Sequence, residues 1–155
     1  MGTQVMIVNK EREGAEIVYG EEDCHKHSMD LMRELGFPEG VLPLKDLVEC
    51  GRVRSTGFVW MKQKKTYEHY FKGTNTTVSY SPEVTAYVEK NKMKKIKGIK
   101  SKQMMMIWVP LSEMSIDDPA IQKIFFKTPM GIGRSFPFSA FEDDDQQEQD
   151  KKEDN

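Results

Sequence analysis

Apolar and polar positions divide the chain into one helical stretch and a long series of short extended ones. The extended segment Ala15-Glu16-Ile17-Val18-Tyr19 closes at Gly20. Beyond it Cys24, Leu31 and Leu35 recur at helical spacing, with Ser28 and Met32 on or near the same stripe. Glu21, Glu22 and Asp23 place acids in the first turn, where the helix macrodipole favours them, and Gly36 followed by Pro38 supplies a stop. The spacing predicts a helix over Glu21–Leu35. Phe37 to Leu44 is too rich in proline to extend it.

Past Lys45 the punctuation shortens. Strands are expected over Leu47–Arg54, Thr56–Lys62, Thr66–Lys72, Thr77–Ser81, Val84–Glu89, Met93–Ile96, Gln103–Val109, Leu111–Ile116, Ile121–Lys127 and Gly133–Phe138. β-Branched and aromatic residues fill them, and clusters such as Gly73-Thr74-Asn75 and Asp117-Asp118-Pro119 separate several of them. Val84–Lys95 also reads as a helix from Glu89, Lys90, Lys92 and Met93, but Val84, Thr85, Tyr87 and Val88 favour a strand. Phe58-Val59-Trp60-Met61 and Met104-Met105-Met106-Ile107-Trp108-Val109 are apolar on both faces, where a sheet with one wet face would alternate. Both faces of these strands must therefore be covered. The expected fold is mainly β (α+β): an N-terminal helix on a strongly curved antiparallel sheet or barrel-like sandwich, wrapped around its own side chains or an amphiphile.

The length of 155 residues suits one domain with a core that needs no disulfide or metal. No run approaches the ~18 apolar residues of a membrane span, and the opening Met1 to Glu13 lacks the basic-then-apolar order of a signal peptide. A cytoplasmic chain is expected, a monomer by preference, with Cys24 and Cys50 as free thiols. Charge redraws the boundaries. From residue 142 to 155 eight acids oppose two lysines, a net of −6, and no apolar residue follows Phe141. The preceding 141 residues hold 21 basic and 17 acidic groups, a net of +4. We expect a flexible lead over 1–13, one globular domain over 14–141 and a disordered acidic tail over 142–155.

Lys90 to Lys102 carries seven lysines in thirteen residues and no acid. Lysines on a strand discourage edge-to-edge pairing, and they also form a point-charge field for lipid head groups or phosphates. The absence of arginine there argues against sequence-specific nucleic acid.

Several segments, in order, resemble the plant family called domain of unknown function 538. They are Leu42-Pro43-Leu44, Thr56-Gly57-Phe58-Val59-Trp60, Val78-Ser79-Tyr80 with Val84-Thr85-Ala86, Lys100-Ser101-Lys102 leading into Ile107-Trp108-Val109, Phe126 to Gly131, and Phe136 to Phe141. The resemblance extends over about Gly14 to Glu142. It implies an N-terminal helix on a bent antiparallel sheet, similar to half of a bactericidal/permeability-increasing protein. Suggestions for the family run from amphiphile binding to ester hydrolysis and stress-linked growth control, and fold analogy does not transfer function.

Catalytic and metal chemistry is thin. His25 and His27 diverge on a helix, so Cys24-His25-Lys26-His27 makes no zinc site, and neither metal nor cofactor is expected. Ser135, His69 and Asp117 form a triad on paper only, because Gly131-Ile132-Gly133-Arg134-Ser135 matches neither a nucleophile elbow nor a dinucleotide loop. Gly131 and Gly133 read instead as a tight turn with positive φ. No catalytic residue is assigned. The pattern points first to a non-enzymatic domain that binds a lipid or other amphiphile, with Phe58, Trp60, Met106 and Trp108 toward an apolar interior. Lys94, Lys95, Lys97, Lys100 and Lys102 would face anionic head groups or an anionic membrane. A solid-core interaction or stress and growth regulatory module is the alternative, and a weak ester hydrolase the third reading.

Overall fold

Helix α1 occupies Glu21–Leu35, the limits its end signals predict. It buries Cys24, Ser28, Leu31, Met32 and Leu35, the stripe set by the 3.6-residue period. Gly36 ends it in the left-handed conformation at φ 92°, with its N–H donating to the carbonyls of Met32 and Arg33. The Phe37 N–H then donates to Met32 at 2.9 Å, closing a Schellman-type stop. The computed structural model describes residues 10–102 and 107–142.

Within those residues ten strands form one antiparallel sheet: β1 (Glu16–Tyr19), β2 (Leu47–Val53), β3 (Phe58–Gln63), β4 (Tyr67–Phe71), β5 (Thr76–Glu89), β6 (Lys92–Lys102), β7 (Trp108–Pro110), β8 (Glu113–Ser115), β9 (Lys123–Lys127) and β10 (Gly133–Pro137). A 3₁₀ turn at Glu39–Val41 and a short closing helix α2 at Ser139–Glu142 complete the fold. The strands pair in the order β1-β2-β3-β5-β6-β8-β9-β10, with β4 also on β5 and β7 also on β6. Since β1 and β10 end this path unpaired with each other, the sheet is open, which corrects the barrel-like expectation. No described helix is long and apolar enough to cross a membrane.

Two segments expected as separate strands, Thr77–Ser81 and Val84–Glu89, are halves of β5. Residues 76–80 pair with β4 and residues 83–87 pair with β3. The halves meet at an irregularity where Tyr80 pairs with Ile99 and Thr85 with Lys97, so four residues of β5 oppose Gly98 alone. Gly98 has φ 95°, and a Cβ there would sit 2.5 Å from the Glu83 carbonyl oxygen. Only glycine fits this close, left-handed position. The Gln63 side chain, 4% exposed, reaches into the junction and donates to the carbonyls of Tyr80 (2.8 Å) and Ser81 (3.1 Å).

The doubly apolar strand β3 is covered on both sides by different material. Val59 and Met61 join the main core, which also holds Cys24, Leu31, Met32 and Leu35 of α1. Ser28 Oγ lies 3.9 Å from Cys50 Sγ and 3.7 Å from Met61 Sδ. Phe58 and Trp60 form a second cluster with Val53, flanked by Ala15 and Tyr87. The Arg12 guanidinium stacks 4.5 Å from the Trp60 ring centroid and pairs with Glu83. The second face is thus closed by the chain's own entry segment, so it needs neither a second sheet nor a ligand.

Candidate functional site

Alternation along β4, β5 and β6 sends Phe71, Thr76, Val78, Tyr80, Ile99 and Ser101 to one side, where they line a cavity of about 400 Å³. Small-molecule sites occupy roughly 300–1,000 Å³. The floor is apolar and closed: Val41, Leu42, Phe71, Tyr80, Ile99 and Met114 are all buried. The Tyr80 hydroxyl donates to the Val41 carbonyl at 3.0 Å, which satisfies the one buried polar tip in the floor. Complete burial pushes that phenol well above its ordinary pKa, so it stays a neutral donor.

The mouth comes from the β9–β10 hairpin. Gly131 turns the chain at φ 84°, and the Thr128 N–H and hydroxyl both donate to the Ile132 carbonyl, at 3.0 and 3.1 Å. This local lock leaves Met130 83% and Ile132 70% exposed beside the opening. Gly133 differs from the positive-φ reading. It lies in β10, where the Phe125 ring fills the space a Cβ would need, 2.1 Å away. The register Arg134↔Phe126 and Ser135↔Phe125 sends Arg134 and Phe136 to the cavity side and Ser135 to the other. The Arg134 guanidinium rests 5.1 Å from the Phe136 ring centroid. Phe136 packs on Phe126, and Phe126 on Phe141 of α2, so aromatic contacts run from the mouth to the closing helix.

The residues singled out from the sequence fall elsewhere. Phe58 and Trp60 are in the second cluster, and neither lines the cavity. The Trp60 indole N–H donates to Glu49 at 2.8 Å, and this bond, ahead of the nearby Lys62, holds the Glu49 carboxyl below its usual range. Trp108 is half-buried in β7, with the Lys102 ammonium 5.6 Å from its ring centroid, and does not line the cavity either. Met106 lies outside the described residues.

The five lysines lie on β6, where Met93, Ile96 and Ile99 are buried between exposed Lys94, Lys95, Lys97 and Lys100. Ile99 and Ser101 face the cavity, so Lys100 and Lys102 project to the opposite side of the strand. Lys94 pairs with Glu89 at 3.4 Å, and Lys95 sits 5.3 Å from the Tyr87 ring centroid. Lys97 and Lys100 form no ion pair among the described residues. The lysines and the cavity are thus separate features.

The paper triad gains no geometry. Ser135 is exposed and turned away from the cavity, whereas His69 is buried on β4, its Nδ1 2.9 Å from the Tyr67 hydroxyl and its ring edge-on to Phe71. No group of three or more metal-binding side chains occurs among the described residues.

The sequence model of the family described as Protein of unknown function, DUF538, matches residues 28–142. The chain belongs to that family. The match takes in the cavity floor from Val41, the β9–β10 mouth and α2, so the candidate site lies wholly inside the family domain. No curated relative and no solved structure matches the chain.

The sequence signal for this site was the period-2 set Ile132, Arg134, Phe136 next to a glycine turn. Gly131 and Gly133 obscure it, because their spacing also fits the first residues of a phosphate loop or a nucleophile elbow.

Proposed function

We propose that this DUF538 domain is a non-enzymatic binding module for an amphiphile, held in the cavity between β4–β6 and the β9–β10 hairpin. The observation that carries the reading is a closed apolar floor under a mouth flanked by exposed Met130 and Ile132. A water-filled apolar cavity gains free energy when an apolar ligand displaces poorly bonded water, roughly 25 cal/mol per Å² covered. A helix beside a bent sheet, the half of a bactericidal/permeability-increasing protein that the family resemblance implies, accords with lipid carriage. A cavity of this size argues against the solid-core alternative, and the outward Ser135 argues against ester hydrolysis. Lys97 and Lys100, exposed on β6 and outside the cavity lining, offer a separate contact for an anionic membrane.

Native mass spectrometry and a titration with the neutral dye Nile red test the proposal. The wild type should bind the dye saturably with one site, and dodecanol should displace it. Val109→Trp, which puts an indole into the cavity, should abolish binding while leaving the fold intact. Equal binding by the wild type and Val109→Trp would refute the cavity as the site.

A further inference from the structure

The chain has five arginines, and four of them engage carboxylates. Arg12 pairs with Glu83, Arg33 with Asp30 and Glu39, Arg52 with Glu34, and Arg54 with Glu16. Arg134 has no carboxylate partner among the described residues, and it is the one that stands at the mouth of the cavity. No Asp or Glu is among the cavity's lining residues, and Arg134 is the only cation among them. Its guanidinium lies against Phe136, which is itself braced by Phe126. Stacking uses the face of a guanidinium and leaves its in-plane N–H fork free for two oxygens of one anion.

We propose that the cavity takes a single-chain amphiphile with an anionic head, and that Arg134 holds that head in its fork. This rests on the amphiphile-binding reading above. The shared head chemistry is a carboxylate or a phosphate monoester. At about 30 Å³ for a water-sized group, 400 Å³ accommodates on the order of a dozen methylene-sized groups, one chain of moderate length. The apolar floor takes the chain, Met130 and Ile132 flank its upper part, and Thr74, Thr76 and Thr128 also line the cavity. A cationic head would meet Arg134 as a like charge, and a neutral head would leave the fork to water.

The experiment displaces Nile red with dodecanoate, dodecyl phosphate, dodecanol and dodecyltrimethylammonium, each below its micelle concentration, at pH 8 and low salt. The wild type should prefer at least one of the two anions over dodecanol by about tenfold or more, the worth of a charge-assisted hydrogen bond. The stronger of the two anion arms tells whether the fork reads carboxylate or phosphate. Arg134→Gln should erase the preference while keeping dodecanol affinity, which also shows that the variant is folded. Arg134→Lys should retain a reduced preference, because the charge remains and the fork is lost. Lys97→Gln and Lys100→Gln, at exposed positions outside the cavity lining, should leave the preference unchanged.

Equal affinity of the wild type for anions and dodecanol would overturn the head-group inference and leave the cavity reading standing. An anion preference that survives Arg134→Gln would overturn the role of Arg134. Failure of all four compounds would overturn the cavity reading itself.

Discussion

Gln63 offers the sharpest check on how the sheet is held at the break in β5. The side chain closes β3, is 4% exposed, and makes three hydrogen bonds. It donates to Tyr80 O at 2.8 Å and Ser81 O at 3.1 Å, and its Oε1 accepts from the Lys45 N–H at 3.3 Å. The Tyr80 and Ser81 carbonyls sit where β5 loses its regular ladder with β6, so the Gln63 amide bonds the strand at its irregular point. Gln63→Met keeps the volume and removes all three bonds. Each net bond is worth about 0.5–1.5 kcal/mol, and an orphaned buried carbonyl costs about 1–3 kcal/mol, so we expect a loss of about 2–4 kcal/mol. With a urea slope of about 2 kcal/mol/M, the middle of the small-protein range, the midpoint should fall by roughly 1–2 M, followed by tryptophan fluorescence.

Gln63→Glu adds a pH test. Its carboxylate would face two carbonyl oxygens in a buried site, so its folded pKa rises above the unfolded value near 4.3. The penalty is then full above the folded pKa and is relieved as pH falls toward the unfolded one. The variant should close part of its gap to the wild type on acidification. A Gln63→Met loss below about 0.5 kcal/mol, or a Gln63→Glu gap independent of pH, would refute this account of the break.

Three further outcomes are expected. Gly51→Ala would place a Cβ 2.2 Å from Trp60 Cζ2, so it should destabilise by about 1–3 kcal/mol as overpacking does; unchanged stability would show that Trp60 can shift freely. The Cys50 thiol is pushed up to about 12 by burial, and burial also raises Cys24, so an aromatic disulfide reagent at pH 8 should find no thiol in the native protein and both after unfolding; rapid native reaction would contradict this. His27 has its pKa depressed below 6.5 by burial and then by the Arg52 charge, and its Nδ1 is buried with no hydrogen-bond partner among the described residues. The unfolded chain therefore takes up a proton first, and stability should fall as pH drops below about 6.5 until the folded pKa is reached; His27→Gln should flatten that slope, and an unchanged slope would refute the assignment.

Much of the architecture was legible along the chain. The limits of α1 follow from acids at one end and Gly36 at the other, because helix ends are decided by the few residues that satisfy or strain the terminal turns. Most strands appear near their expected positions, since period-2 burial is a local property. The two-faced burial of Phe58 to Met61 was also readable from composition alone. A sequence states that a face is apolar, however, and not what covers it. Arg12 and Ala15 cap the far face of β3 through a contact across 48 positions of chain, from Arg12 to Trp60, that no local pattern encodes.

The union of two expected strands into β5 required Gln63 of β3 to bond the Tyr80 and Ser81 carbonyls and Gly98 of β6 to lie against the Glu83 carbonyl. Likewise the lysine run and the apolar interior looked like one feature in sequence, but no lysine lines the cavity, and Lys100 and Lys102 alternate away from Ile99 and Ser101, which do. Local residue pattern set the elements and their amphipathic faces. The cavity, and which of the five arginines has no carboxylate among the described residues, follow from packing instead, because both depend on which distant faces are brought together.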